Sequence, residues 1–424
     1  MMLDPRWCLL AAPVVLALGA LPAPARPAAW RLRDGRFFDR GRPVFLKIAK
    51  PLRNFASARE CEQLVADLPV LRSKHYNTVE INCYWHHFDQ DGDGDPDVSL
   101  APLRRLVDAI HAAGMYPCLS VETYGVGGGA LPEGFWKRHP DAVAVNARGQ
   151  KVTDSEYGFG SIVPSLHCSP YREAVRRFIR AMTRGIDHQK VLWFETTVEP
   201  QYIGNQPIDY GEHARRAYTA WLARNRLSGP PFPERLPAPD SFVRDRTWNR
   251  FRAEALAEWV NEDAEAYRSV AGKDAYVAVD YLETAGPEMV YRNGDSRVFL
   301  EKLTGATVIQ VNWHWHLATR SPNEVAYRNL RDVMARTGRR WAVSEHMTLN
   351  GSDFRPQEVA AILRSTLERG TLLGWEFVSV GPSSASAFTL YRDDWSPKPL
   401  IAEVDNRWDA WMEEVRAAWR RRSL

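Results

Sequence analysis

Short runs of β-branched and aromatic residues alternate along this chain with longer segments whose apolar residues recur at helical spacing. Arg42 to Lys50 reads as a first strand; the segment after it places Leu64, Leu68 and Leu71 on one helical face. A second strand falls at 76–85, followed by a helix that ends at Gly114, a glycine suited to the residue after a helix. Further strands are expected at 115–125, 190–200, 274–283, 306–316, 339–347 and 370–381, with helical segments between most of them. Between the fourth and fifth strands lies a long excursion, about 203–272. It holds two helical stretches and a Pro-rich linker from Gly229 to Pro239.

Eight strands alternating with helices predict an α/β fold, a closed (β/α)8 TIM barrel with a long helical and Pro-rich excursion after strand four. An open doubly wound sheet also alternates strand and helix, but it carries a Gly-rich phosphate turn after its first strand. Here the first strand runs into Lys50-Pro51-Leu52-Arg53, and the glycines 127–129 follow strand three without phosphate-loop spacing. The expected organisation is a signal peptide at 1–25, a barrel at 26–408 and a C-terminal helix at 409–424.

Composition narrows the partner. A net charge of +3 gives no electrostatic footprint for nucleic acid. Sixteen Trp and fifteen Tyr supply flat apolar faces of the kind that stack on sugar rings. The apolar stretch from Trp7 to Leu21, followed by Ala23-Pro24-Ala25, reads as an export signal. An exported protein, periplasmic or secreted and without stable membrane insertion after cleavage, is therefore expected. Cys61, Cys83, Cys118 and Cys168 would remain. Cys83 and Cys118 fall in apolar strand-like runs that suit buried free thiols, and no pair has zinc-site spacing.

In such a barrel the site lies at the C-terminal ends of the strands, so acidic residues there are candidates for chemistry. Strand four ends at Glu199-Pro200 and strand seven at Ser344-Glu345-His346. Two carboxylates across a barrel mouth suit glycoside hydrolysis, in which one donates a proton to the leaving oxygen and the other acts in its ionised form. Glu199-Pro200, the run "WAVSEHM" and Trp375 in "LLGWEF" resemble the clan A (β/α)8 glycoside hydrolases. Within that clan, "AYTAWLARN" and "WNRFRAEAL" around a Pro-rich linker are similar to the family 42 β-galactosidases. The resemblance implies a retaining enzyme for β-linked glycosides, with Glu199 as acid/base, Glu345 as nucleophile and Trp375 flooring the sugar subsite. Val198 stands where the clan carries a sugar-binding asparagine, which leaves Asn82 or Asn312 as substitutes.

Other strand-end residues are candidate substrate contacts: Asn82, His86, Glu122, Tyr124, Tyr202, Asp280, Asn312, Trp313 and His314. Glu80 is expected inside the barrel, paired with a base such as Lys47. The string "DQDGDGDPD" places Asp89, Asp91, Asp93, Asp95 and Asp97 at calcium-loop spacing, but Leu100 replaces the closing glutamate. A structural calcium and a solvated acidic turn both remain open, and no cofactor is required for the chemistry. A barrel that binds carbohydrate without cleaving it, and a metal-dependent barrel hydrolase using strand-end histidines, are the alternative readings.

Overall fold

The computed structural model describes residues 30–124, 130–153, 162–202, 208–228, 232, 246–283, 292–312, 324–347, 355–382 and 389–422. The expected leader and most of the Pro-rich linker lie outside them. No described helix is long and apolar enough to cross a membrane.

The barrel is closed and its eight strands run in sequence order: β4 (Leu46–Lys50), β5 (Thr78–Tyr84), β6 (Tyr116–Glu122), β7 (Trp193–Thr197), β8 (Tyr276–Tyr281), β9 (Val308–Asn312), β10 (Ala342–Met347) and β11 (Gly374–Val378). Every neighbouring pair is parallel, and β11 closes on β4 with Gly374 opposite Leu46. A Cβ at Gly374 would lie 2.5 Å from the Leu46 carbonyl oxygen, so only glycine lets these strands approach this closely.

The expected first strand is two strands. Arg42–Val44 (β3) belongs to a separate antiparallel sheet with Trp30–Arg33 (β1) and Arg36–Asp39 (β2), and Leu46 opens the barrel. That small sheet closes the N-terminal end of the barrel. Its Trp30 and Phe37 cluster with Leu46, Ile48, Cys118, Trp193, Ala278 and Val308. Tyr116 and Tyr276, at the starts of β6 and β8, reach down to bond Asp39 and the Leu32 amide. The floor is apolar, and the polar side chains lie above it.

Helices cover the outside through the alternate residues of each strand. The C-terminal helix Trp408–Arg421 packs onto this layer, its Trp411 edge-on to Trp375 at 5.4 Å. Within the excursion, helices Glu212–Asn225 and Arg246–Ala271 share an aromatic cluster of Tyr218, Trp221, Trp248 and Phe251. The longer helix buries Asn249, Arg252 and Asp263 along with its apolar residues. Cys61, Cys83, Cys118 and Cys168 are all buried free thiols.

Candidate active site

The middle of the barrel holds a buried charge cluster. Lys50 Nζ lies 2.9 Å from Glu80, 3.1 Å from Glu195 and 3.7 Å from Glu376. One ammonium cannot hold three carboxylates ionised in a dry interior. Burial would raise the Glu80 carboxyl, but the Lys50 charge together with hydrogen bonds from Lys50, Glu195 and Trp193 outweighs it and holds Glu80 well below the usual range. Burial and neighbouring negative charge push Glu195 and Glu376 upward. Glu80 is thus inside the barrel as expected, but its base is Lys50. Lys47 faces outward, bonded to Asp405 at 2.5 Å; lysines 47 and 50 differ by an odd number of positions and so lie on opposite faces of the strand.

Above this cluster the strand ends converge. β7 shifts register between Glu195 and Thr197, and the chain then turns through Glu199 with φ of 44°. A bulge followed by a left-handed residue re-aims a strand end. Tyr124 fastens the turn, its hydroxyl directed at the Val198 and Glu199 carbonyls. The Asn312 amide, at the end of β9, donates to Glu199 Oε1 at 2.6 Å and to Asp280 Oδ2 at 2.8 Å. His346 of β10 completes the group, with Nδ1 3.5 Å from Asp280 and 2.8 Å from Glu376. Burial pushes the Asp280 carboxyl up to about 7, partly offset by His346. Burial opposes charge on His346 as well, yet the Asp280 and Glu376 carboxylates hold its imidazole up at about 9.

Glu345 does not join this group. It pairs in register with Trp375 and Val311, whose side chains lie in the helix-facing layer, and its carboxyl accepts from the Thr371 hydroxyl at 2.9 Å. Thr371 in turn meets Tyr327 of the helix Glu324–Thr337. Burial raises the Glu345 carboxyl well above its ordinary value. The expected facing pair of Glu199 and Glu345 is therefore corrected: side chains alternate along β10, so His346 faces the mouth and Glu345 cannot. Trp375 is corrected for the same reason. It faces outward, packed against Phe45 at 4.9 Å and donating to Thr366 at 3.2 Å, and cannot floor a subsite.

The other candidates divide. Asp280 and Asn312 lie at the mouth beside Glu199. Asn82 and Glu122 are in the barrel interior, where the Asn82 amide donates to Glu122 at 2.6 Å and its oxygen accepts from Ser120 at 2.6 Å. Tyr124 clamps backbone. Tyr202 donates to the Arg252 carbonyl at 3.1 Å beneath the excursion. His86 accepts from the Ala130 amide at 3.1 Å, and burial lowers it to about 4, so it is neutral at neutral pH. Trp313 and His314 lie outside the described residues. Reasoning from the sequence missed His346, Glu376, Lys50, Glu195, Gln201 and Arg292. Strand parity was the available signal for two of them: Val343 and Met347 mark Glu345's side of β10 as apolar, and Trp375 and Phe377 bracket Glu376.

Among the described residues, two groups bring three possible metal ligands within 4.8 Å: Glu199, Asp280 and His346, and Asp89, Asp91 and Asp97. In the second group much of the acidic capacity is already satisfied by the loop itself. Asp89 accepts from Gly92, Gly94 and Trp85, and Asp97 accepts from Gln90 and Asp91. Asp91 and Asp93 each cap the amide two residues on. That is the local bonding of an acidic turn.

Residues 55–228 match the model of glycoside hydrolase family 42, described as beta-galactosidase. The match includes Glu199 and ends before Asp280 and Glu345. No curated protein matches the sequence. Among solved structures the chain is similar to the β-galactosidase of the psychrophilic Marinomonas ef1, at 13% identity and a TM-score of 0.62, covering 87% of this chain and 60% of that one. It is also similar to the catalytic domain of a Paenibacillus polymyxa β-amylase, at 12% identity and a TM-score of 0.62, covering 85% and 97%. An exo-β-1,4-mannosidase of Opitutaceae bacterium strain TAV5 matches at 16% identity and a TM-score of 0.53, covering 91% and 62%. The chain thus spans about 60% of the length of the Marinomonas enzyme. The resemblance to clan A and to family 42 is borne out, and at these identities the solved structures speak to the fold alone.

Proposed function

We propose that this protein is a glycoside hydrolase acting on β-linked glycosides, with Glu199 and Asp280 as its working carboxylates. One observation carries the reading: both carboxylates accept from the single Asn312 amide at the C-terminal end of the barrel, with oxygens within 4.8 Å of each other. An oxygen–oxygen separation of no more than 4.8 Å is compatible with the roughly 5–5.5 Å between carboxyl groups of a double-displacement pair and falls short of the roughly 6.5–9.5 Å that leaves room for an inverting water. The proton needed by the leaving oxygen sits on Asp280, which burial keeps protonated up to about pH 7. Glu199 is then the member that attacks the anomeric carbon. It forms a glycosyl–enzyme bond as the C–O bond to the leaving group breaks and the Asp280 proton passes to that oxygen. Water, giving its proton back to Asp280, then displaces Glu199. This division reverses the acid/base role that the strand-four position implies for Glu199, and it needs nothing from Glu345. Asn312 is the amide that stands in where Val198 has replaced the clan's asparagine.

The test is kinetic, on aryl β-glycosides of graded leaving-group ability. Glu199→Gln is expected to lose at least about 10²-fold in kcat on all of them. Asp280→Asn is expected to lose as much on poor leaving groups but far less on dinitrophenyl glycosides, which need no proton. Glu345→Gln should stay within a few-fold of wild type. A folded Glu345→Gln protein without turnover, beside an active Asp280→Asn protein, would restore Glu345 as the nucleophile. A second reading, a barrel that binds sugar without cleaving it, is favoured by the outward-facing carboxyl on β10. It predicts glycoside binding by calorimetry with no turnover across the panel. Activity lost to a chelator and regained with a divalent cation would point instead to metal-dependent hydrolysis through Glu199, Asp280 and His346.

A further inference from the structure

Glu199 is held at both carboxyl oxygens, and the second hold comes from residues outside the working pair. Asn312 donates to Oε1 at 2.6 Å, while the Gln201 amide donates to Oε2 at 3.4 Å. Gln201 is itself fixed from behind, where Arg292 donates to its Oε1 at 2.7 Å. Arg292 is 3% exposed and Gln201 fully buried, so their contact is withdrawn from bulk solvent, while Glu199 itself is half-buried at the mouth. The arginine is tied down too, its carbonyl accepting from the Tyr202 amide at 2.8 Å.

The chemistry of these groups gives the chain a direction. A guanidinium has donors and no acceptor, so the Gln201 oxygen must face Arg292 and its NH2 must face Glu199. Without Arg292 the Gln201 oxygen loses a donor that favours this orientation. The amide could then rotate by a half-turn and present its oxygen to the Glu199 carboxylate, a repulsive contact.

We propose that Arg292, acting through the fixed amide of Gln201, is a positioning residue that holds the Glu199 carboxyl in its working orientation. Arg292 itself need not touch the substrate. The inference rests on Glu199 working at the mouth, as in the glycosidase reading. It adds a link between the loop after strand four and the chain that returns after strand five.

The test compares wild type, Arg292→Met, Arg292→Lys, Gln201→Ala and the double variant Arg292→Met/Gln201→Ala. Two readouts are used: kcat and KM on an aryl β-glycoside, and the Kd of a cationic iminosugar, which seeks the Glu199 charge whether or not the barrel turns over. Misplacing a reacting group from a distance costs up to about 10²-fold, so Arg292→Met should lose roughly 10–100-fold in kcat with KM little changed. Arg292→Lys, which keeps one donor, should recover part of the loss and covers a failure of the methionine variant to fold. Residues acting in series lose their effect once, so the double variant should be no worse than the poorer single. A kcat and Kd unchanged in folded Arg292→Met, or losses that multiply in the double variant, would overturn the proposal. If wild type binds the iminosugar without any turnover, the hydrolase reading fails by itself. The positioning role then stands or falls on whether Arg292→Met weakens that Kd about tenfold without adding to Gln201→Ala.

Discussion

Tyr124 puts a phenol where a sugar-binding residue was expected and uses it on the protein itself, bonding the carbonyl of Val198 at 2.7 Å. Removing that hydroxyl by Tyr124→Phe leaves a buried carbonyl short of a donor. The expected cost is about 1–3 kcal/mol in urea denaturation, with a fall in kcat because the left-handed turn at Glu199 loosens. Beside it, Asp280 and His346 set the pH response. Asp280 gives up its proton near 7, so activity should decline as pH rises through that value. The His346 cation favours the ionised Asp280; His346→Gln removes it, and the descending limb should move to higher pH. A limb unmoved in that variant would mean that Asp280 is not the proton donor. Deeper in the barrel, Lys50→Met would leave Glu80 buried without its cation. Breaking a buried pair on one side costs about 3–5 kcal/mol, so the denaturation midpoint should drop steeply.

At the scale of elements, alternation along a strand decides function. Each barrel strand has one face toward the polar interior and one toward the helices, and β10 and β11 each carry a glutamate. On β11 that residue is Glu376, which turns inward to His346; on β10 it is Glu345, which turns outward to Thr371. Trp375 shares the outward parity, and its burial is structural. Trp375→Ala should therefore destabilise the protein by about 3–5 kcal/mol in thermal or chemical melts. KM for a glycoside should stay near wild type in the folded fraction. A raised KM with unchanged stability would return Trp375 to the sugar site. The bulge in β7 has the opposite consequence, since it breaks simple alternation and brings Glu199 to Asn312 two strands away.

For the whole molecule, the buried charges make stability depend on pH. The imidazole of His346 is raised from its ordinary 6.5 to about 9 in the fold. A group raised on folding contributes fully below its unfolded value and loses that contribution as pH climbs through its folded value. Stability should therefore decline between about pH 6.5 and 9, and His346→Gln should flatten that decline; Tm measured across the interval checks it. Glu80 has the opposite sign. Its folded value is depressed, so its contribution is complete above the ordinary carboxylate range and is lost only in stronger acid.

The order and number of barrel strands were legible in the chain because burying one face of each strand and one stripe of each helix leaves a periodic trace. Glu199, Asp280 and Asn312 could be read as mouth residues because each closes an apolar run, and in a parallel barrel the ends of the runs are the site. On β10 the trace was faint: Val343 and Met347 put Glu345 on an apolar parity, but a six-residue strand does not by itself say which parity faces the barrel interior. That depends on register against β9 and β11, which is fixed by packing across the sheet. Nor could it show that Arg292, 91 positions beyond Gln201, reaches back to it. A hydrogen bond between distant loops has no period and leaves no local pattern. Alternation along the chain was enough for an eight-stranded barrel with acidic strand ends. That the carboxylate beside Glu199 is Asp280 came only with the folded barrel, because closure, not spacing along the chain, brings their oxygens to one amide.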